Sequence, residues 1–358
     1  MSLNKDFHAL TIAQVRRETP DSISVRFEVP EEMRETFRYR AGQHLTLRAD
    51  IAGKDMRRTY SLCTSPGQGE WRIAIKRMPH GVFSNWANDG LAAGQSLDVL
   101  PPMGRFVLPE IAEKAPHYVG IAGGSGITPV IAILKHVLET DGEGRFTLVY
   151  GNRNTPSILF LEELAGLKDR YLDRLAIYHV LEDEAGDIEL FNGRLDREKC
   201  DAILDRLIAP EDVTAFFVCG PGPMMDAVEA SLDAHGVARD RILIERFSTS
   251  PPPEGAAETP KPAGAPVTKL TVELDGRRTR VGFDSAQGTI LESVQAAGLH
   301  APYACRGGVC TTCRAKVLAG EVTMRKNYGL TEEEVAQGYV LTCQAVPQSE
   351  AVELSYDL

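Results

Sequence analysis

The sequence predicts a multidomain chain: an antiparallel β-barrel, a doubly wound α/β domain and a small α+β domain. Three observations predict it. Residues 1–112 hold short strands of alternating pattern, separated by turns rich in Gly, Pro and Asp; many such strands at this spacing make a closed antiparallel barrel. Residues 113–247 alternate apolar runs with helical patterns, which gives a parallel sheet covered on both faces. Residues 248–267 contain six prolines and no apolar period, the composition of a semi-extended linker, and residues 268–358 form the last domain.

The 358 residues are 43% hydrophobic and 25% charged, ordinary for a globular protein with no difficulty in burying a core. The net charge of −11 argues against nucleic acid as a partner. The N-terminus lacks the apolar core of a signal peptide, and no uninterrupted apolar run reaches membrane-spanning length. The expectation is a cytoplasmic protein with no membrane partner. Residues 1–247 carry 29 basic and 37 acidic side chains, and residues 268–358 carry 9 and 11. The last domain is therefore nearly balanced. That suits a tethered module, which needs little electrostatic steering.

In the barrel, strands are expected at His8–Val15, Ser22–Glu28, Gln43–Arg48, Arg57–Cys63, Glu70–Arg77 and Ser96–Leu100, with a helix at Ser84–Asp89 capped by Ser84. Arg57-Arg-Thr-Tyr-Ser-Leu62 contains R-x-Y-S. Alternate strand residues share a face, so Arg58 and Tyr60 offer a cation and an aromatic plane together. That suits a ligand with both a phosphate and a flat ring. Gly81-Val-Phe-Ser84 opens the helix, and free N–H groups there attract an anion; an ordinary cap reads the same way. Lys76 reads equally as a solvated lysine or as a ligand.

In the α/β domain, strands are expected at His117–Ala122, Arg145–Tyr150, Arg174–Val180, Val213–Cys219 and Arg241–Glu245. Helices are expected at Pro129–Glu139, Ser157–Leu167, Asp196–Leu204 and Met224–Ala234. The first strand ends in Gly123-Gly-Ser-Gly-Ile-Thr-Pro129. Three glycines in four positions let a pyrophosphate approach the backbone at a helix start. The second strand ends in Tyr150-Gly-Asn-Arg153. An Arg here favours a ribose 2′-phosphate, hence NADPH, although NADH use is compatible with it. Arg194 is a second candidate for that phosphate. The fourth strand ends in Cys219-Gly-Pro-Gly-Pro-Met-Met225.

In the last domain, strands are expected at Thr268–Leu274, Arg278–Phe283, Arg314–Leu318, Tyr339–Thr342 and Ala351–Tyr356. A helix is expected at Thr289–Ala297, and another behind a Thr331/Glu334 capping box. Cys305, Cys310 and Cys313 stand in the spacing C-x4-C-x2-C, and Cys343 follows much later. Zinc sites with four cysteines usually pair two short knuckles, and disulfides fit poorly in a chain without a secretion signal. Three thiolates from one loop and one from a distant segment match the plant-type ligand set of a [2Fe–2S] cluster. Cys63 and Cys200 read as small buried hydrophobes, and so does Cys219 on residue type alone.

R-x-Y-S followed by Gly-Val-x-Ser, the glycine loop at 123–126, and C-G-P-x-x-M at 219–224 together resemble the ferredoxin–NADP reductase family. The last domain, with its β-β-α-β order around the cysteine loop, is similar to plant-type ferredoxins, which implies their β-grasp fold. The resemblance implies roles residue by residue. Arg58 neutralises a flavin phosphate, Tyr60 lies against the isoalloxazine ring, and Ser61 bonds near its reactive nitrogen. Gly81, Val82 and Ser84 contact the pyrophosphate. Gly123, Gly124, Gly126 and Thr128 hold the nicotinamide nucleotide, and Cys219 sits near its ring. Glu245 relays a proton at the flavin edge and Phe247 covers the ring; otherwise Glu245 is a surface ion pair. Ala41-Gly-Gln-His44 matches a structural stretch of the family.

The barrel-first, ferredoxin-last order resembles the reductase components of bacterial oxygenases. It implies electron flow from NADPH through FAD to the cluster; reductases of this order use FAD or FMN, and the resemblance favours FAD. A closer resemblance over nearly the whole chain, carried by Arg38-Tyr-Arg-Ala-Gly-Gln-His-Leu-Thr-Leu47, Tyr150-Gly-Asn-Arg153, Ala-Pro-Tyr-Ala-Cys305, Asn-Tyr328 and Gly-Tyr-Val-Leu-Thr-Cys-Gln-Ala345, implies as acceptor a multi-subunit di-iron oxygenase acting on the aromatic ring of phenylacetyl-CoA. The alternatives are a reductase for another hydroxylase or dioxygenase, and a non-catalytic electron carrier or redox sensor.

Overall fold

The computed structural model describes residues 7–109, 114–247, 269–283 and 288–357. The expected linker at 248–267, the boundary at 112/113 and the strand start at Thr268 lie outside the described residues. The chain divides into two compact units, one up to Phe247 and one beyond it.

The first unit opens with strands β1 (His8–Thr19), β2 (Ser22–Glu28), β3 (His44–Ile51), β4 (Lys54–Ser61), β5 (Trp71–Lys76) and β6 (Ser96–Met103). They pair in the order β4-β3-β6-β1-β2-β5, and an antiparallel bridge from Leu62 to Ile73 joins the two edges. The expected barrel is there. Its interior is filled by alternate residues such as Leu10, Val25, Leu45, Ile73 and Val99. The β3–β4 hairpin turns on Ala52 and Gly53, with φ of 55° and 75°. Two left-handed residues suit the twist of a two-residue hairpin. That turn fixes the register, which sets His44 directly opposite Ser61.

Helix α1 runs Val82–Gly90, with Gly81 as its N-cap. This corrects the expected start at Ser84. The Ser84 hydroxyl turns back instead, accepting from the Met78 N–H at 3.1 Å and donating to the Gly81 carbonyl at 3.3 Å. It closes the turn that leads into the helix.

Next come β7 (His117–Gly123), α2 (Ile127–Thr140), β8 (Arg145–Asn152), α3 (Leu161–Arg170), β9 (Leu175–Leu181), α4 (Arg197–Leu207), β10 (Ala215–Cys219), α5 (Gly222–Ala234) and β11 (Ile242–Glu245). The sheet is parallel, in the order β11-β10-β7-β8-β9. Apolar residues of α2 and α3 share a core with Phe217 on one face, while those of α4 and α5 pack with Phe216 on the other. Helix α3 starts four residues later than expected because Phe160 adopts a left-handed φ of 61° after a short turn at Thr155–Ser157. Strand order reverses between β7 and β10, and ligands of such sheets bind in the crevice beyond the carboxyl ends at that point.

The second unit contains β12 (Lys269–Leu274), β13 (Arg277–Gly282), α6 (Ile290–Ala296), β14 (Arg314–Ala319), β15 (Val322–Met324), α7 (Glu332–Ala336), β16 (Tyr339–Leu341), β17 (Ala345–Pro347) and β18 (Ala351–Ser355). Its sheet runs β13-β12-β18-β14-β16, with β12 and β18 parallel. Ile290, Leu291 and Val294 of α6 are buried in the same core as the sheet. The capping box holds: the Glu334 N–H donates to Thr331 Oγ1 and the Thr331 N–H to Glu334 Oε2. The short β15–β17 pair was not expected. Among the described residues no helix is long and apolar enough to cross a membrane.

Candidate functional site

The carboxyl end of β4 brings Arg58, Tyr60 and Ser61 to one end of the barrel. Arg58 bonds through Nη1 to the Arg57 carbonyl at 2.7 Å. The Tyr60 ring lies 5.9 Å from that of Phe83 on α1. Burial pushes the Tyr60 hydroxyl above its ordinary pKa, with the Arg58 charge opposing it. A methyl on Gly81 at the start of α1 would stand 2.5 Å from Ser84 Oγ, so a larger residue there would displace the Ser84 hydroxyl from the turn. Val82 beside it leaves more than half its surface exposed, so the turn is open to a ligand from outside. The Ser84 hydroxyl is spent within the turn, as described above.

The glycine loop meets the switch point directly. A methyl on Gly126 would run into the Cys219 carbonyl. One on Gly123 would lie 2.7 Å from both Met224 Sδ and Pro221 Cδ. Tyr150 donates its hydroxyl to the Gly124 carbonyl at 2.9 Å, and Thr128 bonds the Ser125 carbonyl at 3.1 Å. The loop is thus fixed from below, with backbone close against backbone. This is a cradle of the kind a pyrophosphate fits.

Lys76, read as ambiguous in the sequence, ends β5 against this loop, its Nζ 3.9 Å from where a Gly124 methyl would be. Asp21, in the β1–β2 turn, lies 3.7 Å from Lys76 Nζ and 3.4 Å from Arg153 Nη2. Burial raises the Asp21 pKa, but the Thr19 hydrogen bond, the Lys76 charge, the Ser22 hydrogen bond and the Arg153 charge outweigh it and hold it low. Arg153 is 62% exposed. Arg194 is more exposed still and pairs with Glu182.

Three polar side chains meet where the barrel faces β11. Ser61 Oγ donates to Glu245 Oε2 at 3.2 Å. His44 Nδ1 stands 3.7 Å from the other oxygen, Oε1. Ser61, His44 and Glu245 are 2%, 5% and 8% exposed. Glu245 is therefore no surface ion pair. Cys219 ends the neighbouring strand, and its side chain is fully enclosed in the apolar core on the α2 face. Burial, then the Glu245 charge, pushes its thiol well up. Phe247 packs half-buried against the same core.

In the second unit, the loop between α6 and β14 carries Cys305, Cys310 and Cys313. Cys343 follows β16. Arg306, Gly308 and Thr311 take left-handed φ of 53°, 78° and 56°, which curls the loop around its sulfurs. The Gly307 and Cys310 N–H groups point at Cys305 Sγ at 3.3 and 3.4 Å, and the Cys305 N–H points at Cys310 Sγ at 3.4 Å. The Cys310 thiol first, and then these N–H groups with that of Val309, pull the Cys305 pKa down to about 5 against its burial. The neighbouring Cys343 thiol first, and then burial, push the Cys313 thiol well up. The sulfurs thus fall into two pairs, 305 with 310 and 313 with 343. Among the described residues no three His, Cys, Asp or Glu side chains are grouped to hold a single metal ion. Two thiol pairs are what a two-iron cluster asks for, one pair to each iron.

Sequence reasoning took His44 as structural and did not single out Asp21. Counting back from the Ala52-Gly53 turn would have placed His44 opposite Ser61. No local signal marks Asp21.

Three family models match the chain: "Oxidoreductase FAD-binding domain" over residues 9–108, "Oxidoreductase NAD-binding domain" over 121–230 and "2Fe-2S iron-sulfur cluster binding domain" over 272–348. The chain is 41% identical over 351 residues to a subunit of the 1,2-phenylacetyl-CoA epoxidase of Escherichia coli strain K12, covering 98% of each. It is 37% identical to the ferredoxin reductase component of 3-ketosteroid-9-alpha-monooxygenase from Rhodococcus rhodochrous, over 97% of this chain and 96% of that one. Phthalate dioxygenase reductase shares its fold, with a TM-score of 0.59 and 24% identity over 98% of each chain. FAD, a pyridine nucleotide and a [2Fe–2S] cluster are its cofactors, and it is an NAD(P)H-dependent flavin and iron–sulfur reductase of an oxygenase system. With a barrel, a switch-point glycine cradle and a paired cysteine quartet in this order, the chain belongs to the ferredoxin–NADP reductase family, among the members that carry a plant-type [2Fe–2S] domain at the C-terminus.

Proposed function

We propose that this reductase draws electrons from NADPH and delivers them to a multi-subunit di-iron oxygenase that epoxidises phenylacetyl-CoA in phenylacetate degradation. The observation that carries this reading is the end-to-end identity of 41% with one component of a phenylacetyl-CoA epoxidase. Cytoplasmic residence goes with it, since thiolate-bound iron suits a reducing compartment.

In this reading Arg58 and the α1 turn at Gly81, Val82 and Ser84 hold the phosphates of FAD. Ser84 acts by shaping the turn, because its own hydroxyl is engaged. Tyr60 lies along the flavin ring, Ser61 bonds near its reactive nitrogen, and Phe247 shields it. Gly123, Gly124, Gly126 and Thr128 cradle the nucleotide pyrophosphate with Lys76 beside them. Arg153 meets the 2′-phosphate, a contact for which Asp21 competes. Cys219, a neutral thiol packed in the core behind the glycine loop, backs the nicotinamide end, and Glu245 stands next to it on β11. Cys305 and Cys310 hold one iron, Cys313 and Cys343 the other. When bound, FAD accepts a two-electron hydride and gives electrons singly, and the cluster carries them one at a time.

Rapid mixing of the purified holoprotein with NADPH tests the relay: flavin bleaching followed by cluster reduction is expected. Absence of both would leave a non-catalytic carrier or sensor. NADPH-driven turnover with candidate oxygenases then tests the partner. Product from phenylacetyl-CoA with its di-iron oxygenase is expected. Product only with a steroid hydroxylase would favour the second reading, which the 37% identical relative supports.

A further inference from the structure

The residue that the flavin site leaves unexplained is His44. It is the first residue of β3, paired with Ser61 across the hairpin. Residues directly opposite in an antiparallel pair project from the same face of the sheet, so the imidazole and the Ser61 hydroxyl reach the same place. That place is the Glu245 carboxylate, brought in by β11 from the α/β sheet. Ser61 Oγ takes one carboxylate oxygen at 3.2 Å, and His44 Nδ1 faces the other at 3.7 Å.

The imidazole is held in a fitted slot. Gly104, just beyond β6, has φ of 121°, and a methyl there would stand 2.9 Å from His44 Nδ1. Its carbonyl accepts from Gln43 Nε2 at 3.2 Å, so the backbone behind the ring is fixed as well. His44 Nε2 is buried and meets no hydrogen-bond partner. A proton on Nδ1 would face the Glu245 carboxylate. A separation of 3.7 Å is longer than a hydrogen bond, but such contacts commonly tighten when ligand fills the site.

The geometry points to His44 as a positioning residue of the hydride-transfer site: its Nδ1–H and the Ser61 hydroxyl clamp the two oxygens of Glu245. The inference rests on the reading of Ser61 and Glu245 as flavin-edge residues. A carboxylate held from one side swings about its last bond. Held from both sides, it keeps its charge aimed at one point, which is how a preorganised group favours one charge distribution.

The test uses the FAD- and cluster-loaded protein. Labelled-histidine ¹⁵N NMR at neutral pH should show His44 as the Nδ1-protonated tautomer, with the signal shifted in Glu245→Gln. An Nε2-protonated His44 would overturn the inference without reference to activity. Stopped-flow flavin reduction by NADPH supplies the second readout. His44→Leu should slow it on the order of tenfold, the worth of one hydrogen bond to a charged group, with FAD content unchanged. His44→Asn, which keeps a donor near the Nδ1 position, should recover most of the rate. The double variant His44→Leu/Glu245→Gln should be no slower than Glu245→Gln alone, because one acts through the other. Additive losses, or a wild-type rate in His44→Leu beside a slowed Glu245→Gln, would sink the clamp and leave the site intact. Wild-type rates in both Glu245→Gln and Ser61→Ala would sink the underlying reading instead.

Discussion

Gly126 lies so close to the carbonyl of Cys219 that no side chain fits between them. The backbone at Gly126 is ordinary, with φ of −63° and ψ of −11°. Glycine is required here by contact and not by conformation. The same hypothetical methyl would also stand 2.8 Å from the Gly220 N. Both obstacles are backbone, which cannot rotate away as a flexible side chain can. The contact joins the turn after β7 to the turn after β10, the two that flank the reversal of strand order. Gly126→Ala should therefore force these turns apart and destabilise the first unit by about 1–3 kcal/mol, as overpacking does. The KM for NADPH should rise with it. Thermal release of FAD and steady-state kinetics with ferricyanide would measure the two effects.

Asp21 governs nucleotide choice in the proposed reading. Its carboxylate stands 3.4 Å from Arg153 and 3.7 Å from Lys76, so a 2′-phosphate arriving at Arg153 meets a group already paired. Arg153 is largely exposed, and such pairs contribute up to about 1 kcal/mol. Asp21→Asn should lower the KM for NADPH about two- to fivefold and leave that for NADH within twofold. Arg153→Ala should do the reverse, raising the KM for NADPH alone. Equal changes for both nucleotides would remove Arg153 from the 2′-phosphate.

What the sequence made legible was local, and what it hid was long-range. The spacing of Cys305, Cys310 and Cys313 fits one loop, and Gly123-Gly-Ser-Gly fits one turn, so each could be read from a dozen residues. The R-x-Y-S strand and the Thr331/Glu334 box are local in the same sense. Glu245 meets Ser61 across 184 positions and Arg153 meets Asp21 across 132, distances at which no periodicity speaks. Ser84 misled because a Ser at a helix start usually caps it. Here Gly81 already occupies the cap, and the hydroxyl serves the preceding turn. The β15–β17 pair escaped because three residues ending in Pro347 carry no strand pattern.

His235 gives the first unit a pH-dependent end to α5. Its Nδ1 bonds the Ser231 carbonyl at 2.8 Å and its Nε2 faces Asp205 at 3.1 Å. Both nitrogens act as donors only in the imidazolium. The Ser231 carbonyl and then Asp205 raise its pKa above the ordinary value. The folded state thus binds the proton more tightly than the unfolded one. The resulting stability is fully present below pH 6.5 and is lost as pH rises through the folded value. His235→Ala should destabilise the unit by roughly 0.5 kcal/mol at pH 5.5, the size of an exposed charge at a helix C-terminus, and by less at pH 8.5. Thermal melts at the two pH values, followed by FAD release, would show the difference. An equal loss at both would deny the imidazolium a role.

The cysteine pairs make a prediction that separates the two units. If Cys305 and Cys310 hold one iron while Cys313 and Cys343 hold the other, losing either pair's member breaks the same cluster. Cys305→Ala and Cys343→Ala should each abolish the iron–sulfur absorption, and the purified parent chain should carry about two irons with two labile sulfides. FAD binding should survive, because its residues lie in a compact unit that ends at Phe247. NADPH-driven reduction of ferricyanide, which small acceptors take from a flavin, should therefore stay within about twofold of the parent, while delivery to an oxygenase partner falls to background. Elemental analysis, visible spectra and the two assays run in parallel distinguish the cases. A Cys343→Ala protein that kept both irons, or a parent chain that held zinc, would show that the quartet does not act as one ligand set.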